Sequence, residues 1–525
     1  GSNADKQIWA QAFGGVATDK VDVGSDQYTG GRISAVWQVS ENFDVSLSHI
    51  TQDIEQSGIP ESFMNLGGTL RAPFQRLDGS DEALGIDFDV TNLKMNLDLG
   101  RFELTSSTSI ADTTTLQDRD VGLFFGPLIG VDDIPLFLTD SGEVESFTQE
   151  LRLNTRLDGP WQILLGAFYQ DLENKLRQDF VFEGAPALDP FGGAQLFVSS
   201  VDEDVEQLSF FGEVTFDLSD QLSFVAGVRH YDYDQTSLDS ADGLFNGGPS
   251  ATTLQADDSG QTYKLGMTYI PNDSATYYAT FAQGFRLGGP QPDVPSDLCD
   301  LDGDGLVDGL GVAVPNQINA DELDSIEIGA KFTLAEGRAT VNVAAYQIDW
   351  QGIPVARTAD CGFGVTLNAG EAESTGVEVE GQWLLSDMWS LNYGASYVKA
   401  ELTSDAPGLG RSGDRLPGAP EFQASLGVQA DFQFAGRPMF ARADIAHTGE
   451  YFNNLQEQGL NAGDFTTVNL RVGADINDRI SLDFFARNIT GEEGLTWVET
   501  EIGDGRANFI RPRTIGVELR ALFGE

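Results

Sequence analysis

Residues 299–311, CDLDGDGLVDGLG, set Asp300, Asp302, Asp304 and Asp308 in the spacing D-x-D-x-D-G-x-x-D. Carboxylates at alternate positions of a tight loop converge on one point, and a hard divalent cation with oxygen ligands offsets their mutual repulsion. Gly305 holds the sixth position, where such a loop turns sharply, and Leu306 offers its backbone carbonyl at the seventh. Gly311 stands where a bidentate glutamate is usual, so Asp321 or Glu322 is the candidate for a further ligand. The expected cofactor is calcium, held at an affinity on the order of 10⁻⁴ to 10⁻³ M as in extracellular modules. The competing reading is a solvated acidic loop without metal.

No other stretch offers chemistry of comparable definition. The chain has no Gly-rich phosphate loop after a strand, no HExxH and no GxSxG elbow. Its three histidines, His49, His230 and His447, all sit inside strand-like patterns. The expectation is therefore a protein that is not an enzyme. With 82 acidic and 30 basic residues the formal charge is −52, which repels nucleic acid. No run of 18 apolar residues exists, so a membrane-spanning helix is not expected. The opening GSNA (1–4) reads as an expression-tag remnant.

The elements that position the acidic loop are strands. In QLSFFGEVTFDLS, Leu208, Phe210, Gly212, Val214, Phe216 and Leu218 share one face, while Ser209, Phe211, Glu213, Thr215 and Asp217 share the other. GVEVEGQW and ISLDFFAR alternate in the same way. Nine short turns recur, at 40–42, 99–101, 157–160, 218–221, 271–273, 335–338, 385–388, 434–437 and 476–479. Between them run long Gly-, Asp- and Ser-rich segments, including 52–82, 112–144, 171–203 and 285–321, taken as loops. Nine turns join eighteen strands, and one strand at each end, near 6–14 and 511–523, brings the total to about twenty. So many long strands exceed one sandwich, and no blade-like repeat recurs. Charges at Glu378, Glu380, Asp483, Arg487, Glu518 and Arg520 lie on the polar face, where a dry core would not hold them unpaired. An antiparallel transmembrane β-barrel of about 20–22 strands, apolar outside and wet within, meets these conditions.

Several stretches resemble the barrel of TonB-dependent outer-membrane receptors: SFTQELRLNT (146–155), YATFAQGFRLGG (278–289), DELDSIEIGAKFTL (321–334), VNVAAYQIDWQGI (341–353), NAGEAESTGVEVEGQW (368–383), LPGAPEFQASLG (416–427), FARNITGEEG (485–494) and RPRTIGVELRALF (511–523). They occur in the family's order. The resemblance implies one barrel domain over 5–525, short turns at the periplasmic end, long loops outside, and residence in the outer membrane of a Gram-negative cell. The family's N-terminal plug, which contacts the energy-transducing TonB complex, has no counterpart in these 525 residues, and a first hairpin is also expected to be missing. Implied partners are membrane lipid and lipopolysaccharide, the TonB complex through the plug, and a small nutrient. A ferric siderophore is the expected cargo, with an oligosaccharide, cobalamin or a small aromatic as alternatives. A plugless diffusion pore is the alternative of another class.

On this topology Cys299 and Cys361 fall in neighbouring outer loops, 285–321 and 351–369, and the oxidising cell surface favours a disulfide between them. Trp37, Tyr231, Tyr233, Trp350, Trp383, Tyr393 and Tyr397 are expected in interfacial girdles. Phe124, Phe125 and Phe363 are loop aromatics with a possible cargo role, and Arg286 is read as half of a structural salt bridge or as a contact for an anionic ligand.

Overall fold

The computed structural model describes residues 25–58, 61–63, 82–122, 136–182, 189, 191–291, 293–368, 370–406, 410–455, 461–498 and 506–522. Nineteen strands make one sheet in which each strand pairs antiparallel with its neighbours in the chain. They are β1 (Asp26–Ser40), β2 (Phe43–Ser57), β3 (Ala83–Asp98), β4 (Phe102–Asp120), β5 (Leu136–Thr155), β6 (Trp161–Phe182), β7 (Phe197–Ser219), β8 (Leu222–Asp242), β9 (Ser250–Asn272) and β10 (Ala275–Arg286). The series continues with β11 (Asp321–Leu334), β12 (Ala339–Gln351), β13 (Glu371–Leu384), β14 (Trp389–Leu402), β15 (Phe422–Phe434), β16 (Arg437–Thr448), β17 (Phe465–Asn477), β18 (Ile480–Arg487) and β19 (Thr514–Ala521). The expected strand near 6–14 lies outside the described residues.

All nine short turns fall at alternate connections, so they share one end and the long connections share the other. The turn between β15 and β16 shows how little chain this needs: Ala435 and Gly436 both take positive φ (53° and 76°), the handedness that suits the twist of a two-residue hairpin. The long segments differ from the sequence expectation. β5 to β9 run 20 to 23 residues, where a tilted span needs about 9–11. Much of 112–144 and 171–203 is therefore strand, and β2 reaches Ser57. The polar composition of these stretches reflects ladders that continue above the membrane, where the outward face no longer meets lipid.

The alternation of faces holds through the register. Leu208, Phe210 and Val214 point outward with Phe224 and Val228 of the next strand, and Ile328 (57% exposed) and Val517 (57%) do the same elsewhere. The other parity faces the interior. There Arg471 binds Asp483 at 2.5 Å and Glu518 at 2.8 Å, linking β17, β18 and β19, and Arg442 binds Asp444 at 2.7 Å. The charges that argued against a dry core thus form an interior network.

Aromatic residues on this interior face have a specific reason to be there. Phe211, Tyr231, Tyr278, Tyr346 and Phe485 each lie over a glycine directly opposite on the neighbouring strand: Gly166, Gly260, Gly329, Gly376 and Gly516. The ring covers backbone that the missing side chain exposes, and the glycine leaves the ring room to lie flat on the wall.

The two edges, β1 and β19, share no ladder among the described residues. Above them, Glu61–Phe63 pairs with Arg506–Phe509, which pairs with Leu495–Val498. Arg511 also reaches Asp26 at 3.6 Å, so the outer ends of the edges are held near each other. The glycine pairing gives a test of the wall: Gly376→Val drives a branched side chain into the Tyr346 ring and is expected to cost about 1–3 kcal/mol. Gly31→Val, where an added carbon meets nothing within 4 Å, is the control. The temperature at which folded barrel converts to the slow-migrating form on gels should fall for the first variant and hold for the second.

Candidate functional site

The long connections at the outer end fold together. The segment after β10 (287–320), that after β12 (352–370), that after β14 (403–421) and that after β16 (449–464) share one apolar core: Cys299, Val307, Leu310, Ile353, Ala359, Val365, Leu367, Leu402, Ala406 and Leu455. Each fully buried aliphatic side chain contributes about 1.5–3 kcal/mol, so this cap has a core of its own. A second cluster, with Val121, Leu136, Phe180 and Leu196 at its centre and Phe191, Phe197 and Phe245 packed around it, joins the connections after β4, β6 and β8. Phe363 bridges the two, packing on the cap core and meeting Phe197 edge-on at 5.5 Å. Its place is structural. Phe124 and Phe125 lie outside the described residues.

Cys299 and Cys361 are joined, with Cα atoms 5.2 Å apart across 62 residues of sequence. Cys299 is fully buried in the cap core, so the bond ties two loops already packed together. In the chain-entropy treatment, closing a loop of this length stabilises the folded state by roughly 4 kcal/mol.

Beside the disulfide the acidic loop turns on itself. Oxygen atoms of Asp300, Asp302 and Asp304 come within 4.8 Å of one another. Asp300 accepts the N–H groups of Asp304 and Gly305, both at 3.0 Å, and Asp304 accepts that of Leu306 at 2.8 Å. Gly305 has φ 83°, the left-handed turn expected at the sixth position. Asp308 is not in the convergent group: its carboxylate accepts the Leu301 N–H at 2.9 Å, closing the loop from the other side. Asp321 is also committed elsewhere. It is buried at 3% exposure, accepts Arg286 through Nε and Nη2 (3.0 and 2.6 Å) and accepts Trp350 Nε1 at 2.6 Å. That removes it as a further cation ligand and gives Arg286 its structural salt bridge, reinforced by the guanidinium stacking 5.0 Å from the Trp350 ring.

Three of the expected girdle aromatics face inward. Trp350 closes the pair just described. Tyr231 and Tyr233, each 2% exposed, share parity with Ser209 and Gln207 of β7 and are covered by the chain leaving β10. Phe285 stacks on Tyr231 at 3.5 Å, and the Gly288 N–H donates to Tyr233 Oη at 3.2 Å. The cap is thus stapled to the inner wall of β8. Trp37, Trp383, Tyr393 and Tyr397 share the parity of outward residues such as Leu47, Val377 and Leu391. His49, His230 and His447 are strand residues bonded to Thr91, the Gly260 carbonyl and Thr466.

Inward-facing residues at the tops of β7 and β8 were missed by motif reading because no motif marks them. Ser209 already shares Phe211's polar face in the alternation, and counting by twos from Phe211 and Arg229 adds Gln207, Tyr231 and Tyr233 on the inner side.

Residues 15–489 match the family model described as TonB dependent receptor-like, beta-barrel. The chain is 23% identical over 376 residues to a pesticin receptor of Yersinia enterocolitica, covering 71% of this chain and 51% of that protein. It is 22% identical over 353 residues to the metal-pseudopaline receptor CntO of Pseudomonas aeruginosa, covering 62% and 45%. It therefore spans about half the length of these relatives. Among solved structures, the ferric yersiniabactin uptake receptor FyuA of Yersinia pestis superposes with a TM-score of 0.79 at 18% identity, over 96% of this chain and 72% of that one. The siderophore receptor PiuA of Acinetobacter baumannii gives 0.73 at 15% identity, over 95% and 74%. With its antiparallel sheet, alternating faces and long outer connections, the chain belongs to the TonB-dependent receptor β-barrel family of the Gram-negative outer membrane.

Proposed function

We propose that this barrel serves the active uptake of a scarce small nutrient across the outer membrane, a ferric siderophore complex, with TonB as the energy source. The observation that carries the reading is the disulfide-tied cap, which builds a shaped entrance over a polar interior. The relatives support the cargo class: the similar proteins include receptors named for ferric yersiniabactin and for metal-pseudopaline. The family is one of receptors, which also favours transport over catalysis. Lipid and lipopolysaccharide surround the outward apolar face in this reading.

Calcium is the proposed occupant of the acidic loop, ligated by Asp300, Asp302, Asp304 and the Leu306 carbonyl. Three carboxylates held within 4.8 Å support it, because a hard cation would offset their repulsion. The cation would order the loop next to the disulfide and so set the shape of the entrance.

Uptake of ⁵⁵Fe by iron-starved cells offered single purified siderophores is expected to require both the intact gene for this chain and TonB. Uptake that persists without the gene for every siderophore tested rules out the iron reading and leaves oligosaccharide, cobalamin or small aromatic cargo to the same assay. Calorimetry on the folded protein should show one saturable calcium site that Asp302→Asn with Asp304→Asn weakens at least tenfold; no site, or an unchanged one, defeats the calcium assignment. Replacing Cys299 and Cys361 by serine should leave the barrel folded but speed limited proteolysis within 287–320 and 352–370. Unchanged proteolysis would mean that the bond adds nothing to cap order.

A further inference from the structure

The lipid-facing side of β7 to β10 is not uniformly filled. Cross-strand register sets Val214, Ala226, Leu265 and Phe281 in one outward row. Phe216, Phe224, Met267 and Ala279 form the row nearer the short turns. In each row a single methyl group interrupts bulky side chains. The gaps open an apolar groove of about 550 Å³, flanked by the Trp161 ring, which packs on Phe216 at 4.3 Å. The lower row lies within two to six residues of the turns at 218–221 and 271–273. At roughly 3.3 Å per residue and a tilt of about 45°, that depth falls in the periplasmic half of the bilayer.

Two features beneath the groove bear on what fills it. Tyr269 and Tyr277 stand opposite each other in the next outward row, 40% and 42% exposed, with ring centroids 6.3 Å apart. Tyrosines at this level sit among lipid headgroups and offer hydroxyls to ester and phosphate oxygens. Below them the turns at 218–221 and 271–273 carry Asp220 and Asp273, both exposed, and no lysine or arginine. Lys264 of β9 turns inward, to Glu213 at 2.9 Å. An anionic headgroup would meet like charge here, whereas an ammonium group finds two carboxylates.

We propose that this groove seats one phospholipid of the periplasmic leaflet, of the class with an amine headgroup. An acyl chain lies over Ala226 and Ala279, the tyrosine hydroxyls meet the phosphate and ester oxygens, and the ammonium stands near Asp220 and Asp273. The wall around the groove already meets lipid, so the bilayer is what fills it. A chain touched on several sides gains more dispersion contacts than one lying on a flat wall, so this lipid exchanges more slowly than its neighbours. The seat lies on the outer wall, independent of the cargo and of the acidic loop.

The probes are phosphatidylethanolamine and phosphatidylglycerol with identical acyl chains, added to the folded protein in detergent and followed by native mass spectrometry. One phosphatidylethanolamine should be retained saturably, with phosphatidylglycerol roughly fivefold weaker, the scale of two exposed ion pairs. Ala226→Phe with Ala279→Leu fills the groove and should cut retention of both lipids roughly fivefold or more. Ala443→Leu, on the outward face of β16 opposite Leu470, should stay within about twofold of the parent. Asp220→Asn with Asp273→Asn should lower phosphatidylethanolamine to within about twofold of phosphatidylglycerol. Heat-modified gel migration identifies any variant that fails to fold, and Ala279→Leu alone then serves as the filled groove. No retained lipid, equal retention of the two lipids by the parent, or retention that groove filling leaves unchanged would overturn the proposal. So would a preference that the asparagine pair leaves intact, or a dimer that groove filling dissociates, which would give the groove to a second copy of the chain.

Discussion

Hydrocarbon offers a backbone no hydrogen-bond partner, and this structure follows from that restriction. Within lipid every N–H and C=O must be satisfied by the chain, and this sequence answers with nineteen neighbouring antiparallel strands. Once the ladder is set, each residue has one of two destinations, and alternate positions divide between lipid and interior. The outward face then needs only bulk and apolarity, supplied by residues such as Leu208, Phe210 and Val517, while the interior is free to hold charge. The interior ion pairs and the aromatic rings resting on glycine follow from this division. They stiffen the wall without closing it with a packed core.

Above the membrane the restriction lifts, and the chain builds differently. Strands continue for ten residues or so beyond what a bilayer requires, and four connections then bury a conventional apolar core that includes Leu402, Val365 and the disulfide. The two regimes meet at the top of β8, where Tyr231 and Tyr233 carry the cap on the inner wall through Phe285 and the Gly288 N–H. Any change in the cap is therefore mechanically connected to the interior face, through a stacked ring pair and a hydrogen bond.

Much of this is legible in the chain itself. Strict alternation in QLSFFGEVTF, the nine turns and their one-sided placement give strands, topology and class, because each depends on nearest neighbours along the sequence. Cys299 and Cys361 are also legible, since they are the chain's two cysteines and the topology makes their loops adjacent. Residues whose role depends on height in the barrel are harder to read. Tyr231, Tyr233 and Trp350 have the composition of an interfacial girdle, and only their parity, counted from Arg229 and Ile348, shows that they turn inward. Asp321 illustrates a different limit. Its proximity in sequence to the acidic loop suggested a cation ligand, yet register sets it opposite Arg286, and the bidentate pair with Trp350 as third partner takes up its carboxylate. Local composition says what a side chain can do, and cross-strand register decides what it does.

The edges of the sheet carry one more implication, which concerns direction. β1 descends from the outer end to the turn at 40–42, and β19 also descends, from the outer connection that precedes it. Two strands of like direction can join only by the slanted, slightly weaker parallel ladder. To be bonded throughout in the antiparallel manner of the other strands, the sheet must take an odd number of strands between them, the first and the last ascending. The Arg511–Asp26 contact and the short ladder at Glu61–Phe63 draw the outer ends together without supplying that match. Among the described residues the seam is thus polarised: backbone geometry alone distinguishes an ascending strand there from a descending one, before any side chain is read.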